Sequence, residues 1–161
     1  MTIRLLQGCE LEEVIKYMNI ATKIAGESPC AKEKRGVVIV NQGKIVGEGV
    51  NSPPMFFKCE PNYCGESCRV PAVHAEMNAI IDAGRKRHNL NGARMYHARV
   101  ENGVLQDSRE PRCADCSKHI LQANICDFVL KHKTGFTLYD AVTFHYISLK
   151  NSRKEILSGQ K

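Results

Sequence analysis

Apolar positions recur at Leu11, Val14, Ile15, Met18 and Ile24, with acidic and basic residues between them. That near-helical spacing predicts an amphipathic helix over 10–25, closed by Gly26 and Pro29. The pattern then changes to a short β-branched run, Val37 to Val40. Asn41-Gln42-Gly43 reads as a turn, and Ile45 to Val50 follows as the second strand of a hairpin. From Asn51 to Val70 the periodicity is lost to Pro53, Pro54, Pro61, Gly65 and three cysteines. A loop this long inside a small domain needs something to hold it, and a metal is one such device. His74 to His88 predicts a helix with Met77, Ile80 and Ile81 on its buried side, broken at 89–92. Ala93 to Val100 reads as a strand, 101–103 as a turn and Val104 to Asp107 as a short return strand. Cys113 to Ala123 predicts a helix and Phe128 to Lys131 a strand. Leu138 to Leu149 is apolar and aromatic without a period that decides between the two. The order α-β-β-α-β-α-β predicts one α/β domain over residues 1–150, with helices packed on a central sheet. Residues 151–161 read as a polar, frayed tail.

Composition narrows the picture. The chain has 161 residues, 43% hydrophobic and 25% charged, which suits one globular domain. No apolar run approaches the roughly 20 residues that span a bilayer, and the first ten residues lack a secretory pattern. The expectation is a soluble, cytoplasmic protein with no membrane partner. The formal charge of +6 lacks the sharp basic stripe of a nucleic-acid surface, and 6% aromatic residues without Trp argue against a long stacking platform. A mild positive balance suits an anionic small molecule equally well, and simple solubility accounts for it too. Eight cysteines in such a chain point to metal or thiol chemistry rather than disulfides.

Two segments carry the chemistry: His74-Ala75-Glu76 and Pro111-Arg112-Cys113-Ala114-Asp115-Cys116. Each sits where a loop enters a helix. Cys113 and Cys116, three apart, share one helical face. With His74 they offer Zn2+ two thiolates and an imidazole, leaving a fourth position for water, the pattern of a catalytic site. Such an ion acidifies its water, and Glu76, two residues past His74, is placed to carry protons. Cys-x-x-Cys alone would equally serve redox chemistry or half of a structural site; the two segments together favour catalytic zinc.

His-x-Glu followed by Pro and Cys-x-x-Cys resembles the zinc-dependent cytidine/deoxycytidylate deaminase superfamily. Arg112 stands between Pro111 and Cys113, where the family motif has them adjacent. The resemblance extends to residues 30–54 and to His74–Ile80, and is closest to the deoxycytidylate deaminase branch. It implies a cytidine-deaminase-like three-layer sandwich, with a mixed sheet of about five strands between helices. It also implies hydrolytic deamination of a cytosine nucleotide, a homo-oligomer, and contacts from Asn51 and Ala75 to the substrate. Arg69 and Arg112 flank the two segments and are candidates for a substrate phosphate; His97 is a candidate pocket residue. Cys30, Cys59, Cys64 and Cys68 read as a second, structural metal site, with free thiols or disulfides as the alternatives. Rival functions are deamination of a free nucleoside or base, tRNA adenosine deamination, and a zinc-stabilised binding module without turnover.

Overall fold

The computed structural model describes residues 1–59 and 72–157. The chain runs β1 (Ile3–Leu5), α1 (Cys9–Ala25), β2 (Lys34–Asn41), β3 (Lys44–Val50), α2 (Ala75–Arg85), β4 (Arg94–Glu101), β5 (Val104–Gln106), α3 (Ala114–Gln122), β6 (Asp127–His132), β7 (Gly135–Asp140) and α4 (Ala141–Leu157). The strands form one mixed sheet in the order β1-β7-β6-β4-β2-β3, with β5 attached to β4. β4 and β6 are parallel, and the other pairs are antiparallel. β6 covers only Arg94–Tyr96 of its edge of β4, and β5 covers Arg99–Glu101 beyond it.

Strand alternation splits the core into two faces. Val38, Val40, Tyr96, Ala98, Val100, Val129 and Leu138 pack under α1, against Val14, Tyr17, Met18, Ala21 and Ala25. Val37, Ile39, Met95, Phe128, Leu130 and Tyr139 point the other way, with Ala75 and Ala79 of α2, Ile120 of α3 and Phe144 of α4. The result is the expected three-layer sandwich. Among the described residues the sheet has seven strands, against the expected five or so. β1 and β7 extend one edge, with Ile3 to Leu5 paired against Thr137 to Tyr139.

Three sequence expectations change for physical reasons. The buried face of α2 is Ala75, Glu76, Ala79 and Ala83, whereas Ile81 is 40% exposed. The sheet beneath explains this. A side chain at Gly49 would lie 2.3 Å from the Ala79 amide and 2.4 Å from the Ala75 carbonyl, and one at Gly47 would lie 2.5 Å from the Ala79 carbonyl. Backbone meets backbone there, so only small residues fit between. The apolar stretch 138–149 is both a strand and a helix, divided at Asp140. The Asp140 carboxylate accepts hydrogen bonds from the Thr143 amide and hydroxyl, both at 2.8 Å, and so caps α4. Finally, α4 runs through the expected boundary at 150 to Leu157. Asn151 Nδ2 donates to the Pro111 carbonyl at 2.8 Å, and the Ser152 hydroxyl donates to the Arg112 carbonyl.

β3 is the open edge of the sheet, and α2 together with the turn after it reaches over it. Asn78 Nδ2 donates to the Val50 carbonyl at 2.6 Å, and the Glu48 amide donates to Asp82 Oδ2 at 3.0 Å. His88 Nδ1 lies 2.7 Å from the Val46 carbonyl. Among the described residues, no helix is long and apolar enough to cross a membrane.

The contact at Gly49 sets a test. Gly49→Val should cost about 1–3 kcal/mol through overpacking. Gly84, also near α2's end but with open space around its Cβ position, provides the contrast. Gly84→Ala should stabilise by about 0.4–1 kcal/mol. Thermal unfolding of both variants checks the pair; equal melting temperatures would show that α2 is not in close contact with β3.

Candidate active site

Two helix starts converge on one point. His74 is the N-cap of α2, with extended backbone (φ −70°, ψ 153°), and Cys113 is the N-cap of α3. Cys113 Sγ accepts a hydrogen bond from the Cys116 amide at 3.2 Å. An amide at a helix N-terminus favours a thiolate. His74 Nδ1 lies 2.9 Å from Cys116 Sγ and 3.4 Å from Cys113 Sγ, and the sulfurs are 2.8 Å apart. Among the described residues this is the one group of three or more His, Cys, Asp or Glu side chains gathered closely enough to hold a metal.

The protons on this group are shared unequally. The hydrogen bond from Cys116 pulls the Cys113 thiol down to about 5, and the bond with Cys113 raises His74 to about 9. Cys116 is pushed up by donating that bond and by burial. A thiolate, a second sulfur and an imidazole aimed at one point make a soft donor set that fits Zn2+.

Glu76, in the first turn of α2, is 8% exposed. His97, from the middle of β4, is 4% exposed and places Nε2 4.0 Å from Glu76 Oε1. Burial dominates at His97 and pulls it down to about 4, so its ring is neutral near neutral pH. Burial also disfavours the charged form of Glu76, but facing imidazoles outweigh it and hold the carboxyl below its ordinary value. The His97 ring packs beside Phe128, with centroids 6.0 Å apart, and its Nδ1 is buried without a hydrogen-bond partner.

The remaining sequence candidates divide. Asn51 follows β3, and its side-chain oxygen is already used: it accepts from the Arg35 amide at 2.8 Å and the Ser28 hydroxyl at 2.9 Å. Its Nδ2 donates to the Glu33 carbonyl at 2.9 Å. Asn51 therefore fixes the loop ahead of β2. Asn78 ties the following residue to α2, donating to Ser52 Oγ at 3.1 Å. Ala75 is fully buried at the first helical position, where an amide has no acceptor within the helix. Arg112 precedes Cys113 on the segment that α4 holds. Arg69, Cys64 and Cys68 lie outside the described residues. Cys30 and Cys59 are half-buried free thiols.

The sequence reading passed over a cluster beside the site. Glu33 pairs with Arg35 at 2.6 Å and also with Arg99. Burial works against the Glu33 carboxylate, but the two guanidinium groups outweigh it and hold it at about 2. Arg99 also donates to the Asp107 carbonyl at 3.2 Å, and Lys131 pairs with the Asp107 carboxylate. The signal was present in strand parity: Arg35 and Arg99 stand two residues from Val37 and His97 on strands with clear alternation.

Comparison with known proteins agrees with this geometry. The family model described as the cytidine and deoxycytidylate deaminase zinc-binding region matches residues 11–132. A deoxycytidylate deaminase of Saccharomyces cerevisiae is 30% identical over 122 residues, covering 70% of this chain and 35% of that protein. The chain thus spans about a third of the length of the yeast relative. A deoxycytidylate deaminase of Mycobacterium phage D29 is 30% identical over 123 residues, covering 68% of this chain and 86% of the phage protein. The crystal structure of the cyanophage S-TIM5 dCMP deaminase, in complex with dCMP and dUMP, superposes with a TM-score of 0.59 at 25% identity, covering 76% of this chain and 82% of that one. With His74, Cys113 and Cys116 gathered inside the matched region, the chain belongs to the cytidine and deoxycytidylate deaminase family.

Proposed function

We propose that the protein is a zinc-dependent hydrolase that deaminates a cytosine nucleotide of the dCMP or CMP type. The observation that carries this reading is a buried carboxylate, Glu76, beside a His-Cys-Cys donor set it does not join. A purely structural metal site has no use for it. Zinc held by His74, Cys113 and Cys116 would supply Lewis acidity to activate a water molecule. Glu76 takes a proton from the attacking water and delivers it to the ring nitrogen. It then carries a proton to the departing amino group, so that cytosine and water become uracil and ammonia. His97 stays neutral and fills the wall beside Glu76. The Ala75 amide and Asn51 contact the substrate ring or sugar. The yeast and phage relatives are named deoxycytidylate deaminases, which supports a cytosine nucleotide as substrate. The family resemblance adds a homo-oligomer, and the cytoplasm is the proposed location.

Glu76→Gln should keep the metal and the fold while lowering turnover by about 10²–10⁴-fold, the usual loss for a general acid/base. Ammonia release by the purified variant is the check; near-normal rates would remove Glu76 from the mechanism.

The second proposal concerns Cys30, Cys59, Cys64 and Cys68 as a structural zinc site. Elemental analysis should return about two zinc per chain. Cys64→Ser should lose one metal and stability, and Cys116→Ser the other metal and activity. One zinc per chain, untouched by Cys64→Ser, would leave that cluster as thiols.

Substrate class is tested by comparing kcat/KM for cytidine, deoxycytidine and their monophosphates at fixed ionic strength. The phosphate should give an advantage of about one to two decades, the value of one charge-assisted arginine pair. Preference for a free base or nucleoside would overturn the nucleotide reading while leaving the deaminase reading intact.

A further inference from the structure

His97 stands in the middle of β4 between apolar neighbours. Across β2 it is paired with Val37, which is fully buried. On the β6 side its ring lies beside Phe128, and Phe128 stacks on Phe144 of α4 with centroids 3.9 Å apart. An imidazole in such a wall has two nitrogens to satisfy. Nδ1 is buried with no hydrogen-bond partner, and Nε2 lies 4.0 Å from Glu76 Oε1. A buried polar atom left unpaired costs stability, and an apolar ring of the same shape would fill this wall without that cost. Folds keep such local costs mainly at functional sites.

The carboxylate facing the ring decides which nitrogen carries the proton. A neutral imidazole has one N–H and one lone pair. A lone pair on Nε2 would point at Glu76 and repel it, whereas an N–H there is attracted. The lone pair therefore falls to Nδ1, and the one donor of His97 is aimed at the carboxylate. Val37 and the Phe128–Phe144 stack hold the ring in that orientation.

We infer that His97 is a positioning residue for Glu76: its Nε2–H holds one carboxylate oxygen and leaves the other to carry protons. This rests on the deaminase reading of the site. At 4.0 Å the contact is longer than a hydrogen bond, and closing it takes a shift of about 1 Å. Contacts of this kind tighten when substrate occupies a site. The ring is clamped by its neighbours, so the movement falls to the longer, unbranched side chain of Glu76. A general base that serves both the water and the ring nitrogen works only from a narrow range of positions, and one fixed oxygen narrows that range.

The test uses the zinc-loaded full chain, dCMP as substrate and three substitutions. Gln places an N–H where the imidazole has Nε2, Asn places one nearer to Nδ1, and Phe fills the wall with none. His97→Phe and His97→Asn should lower kcat about ten- to a hundredfold, the value of a hydrogen bond to a charged group, with KM changed less than about threefold. His97→Gln should restore most of the turnover. His97→Phe should melt no lower than the wild type, because it removes an unpaired buried atom; a merely structural histidine requires the opposite. Unchanged kcat in His97→Phe, a loss confined to KM, or a Gln variant no better than Phe would overturn the assignment. If His97→Phe does not fold, the contrast between Gln and Asn decides. Nitrogen-15 NMR of the imidazole rings separates this proposal from the functional reading. The wild-type His97 ring should carry its proton on Nε2, and that resonance should move in Glu76→Gln. If the wild type deaminates no cytosine compound, the functional reading fails. An Nε2–H signal that responds to Glu76→Gln would still support the contact, and an Nδ1–H ring or an unmoved signal would overturn it.

Discussion

The site depends on how closely α2 can lie against β3. A helix normally stands off a sheet by the height of the side chains between them. Here Gly47 and Gly49 below and Ala75, Ala79 and Ala83 above reduce that height to backbone contact. This brings the start of α2 down onto the sheet face, with His74 and Glu76 level with His97 on β4. A larger residue at either glycine would lift the metal ligand and the carboxylate together.

The second half of the site is held differently. Cys113 and Cys116 belong to α3, which touches α2 only lightly and packs mainly on α4. The segment leading into α3 is fixed from behind by Asn151 and Ser152 near the end of α4. One ligand is therefore positioned by sheet contact and the other two by a helix pair, and the donors meet where these frames adjoin. The Glu33–Arg99–Asp107–Lys131 chain ties the segment after β5 and the loop ahead of β2 to β4 and β6. In a partly buried setting such charge networks are worth more than isolated surface pairs.

Much of this was legible in the sequence. His74, Glu76, Cys113 and Cys116 announce themselves because metal chemistry restricts residue type and spacing together. The hairpin 37–50 and the helices at 10–25, 74–88 and 113–123 follow from periodicity. What escaped was set by tertiary contact. The alanines of α2 carry too little apolar signal to outrank Met77 and Ile81, and only the glycines opposite make them the buried face. β1, three residues long and exposed, has no pattern and exists because β7 is there to pair with it. The stretch 138–149 held two elements, and Asp140, a cap hidden in an apolar run, was the mark dividing them. Arg35 and Arg99 looked like ordinary surface charge until the register of β2 and β4 put them opposite each other.

The covered edge of β3 has a consequence for self-association. An exposed sheet edge is a template on which another chain can add a strand. On this edge the Val46 carbonyl, the Glu48 amide and the Val50 carbonyl already have partners in His88, Asp82 and Asn78. An incoming strand would have to displace all three before forming its own ladder, and two of the three come from the helix that carries Glu76. Stacking through this edge would compete with contacts made by the helix that carries Glu76, so the element that builds the chemistry also guards the protein against fibre-like growth from that side.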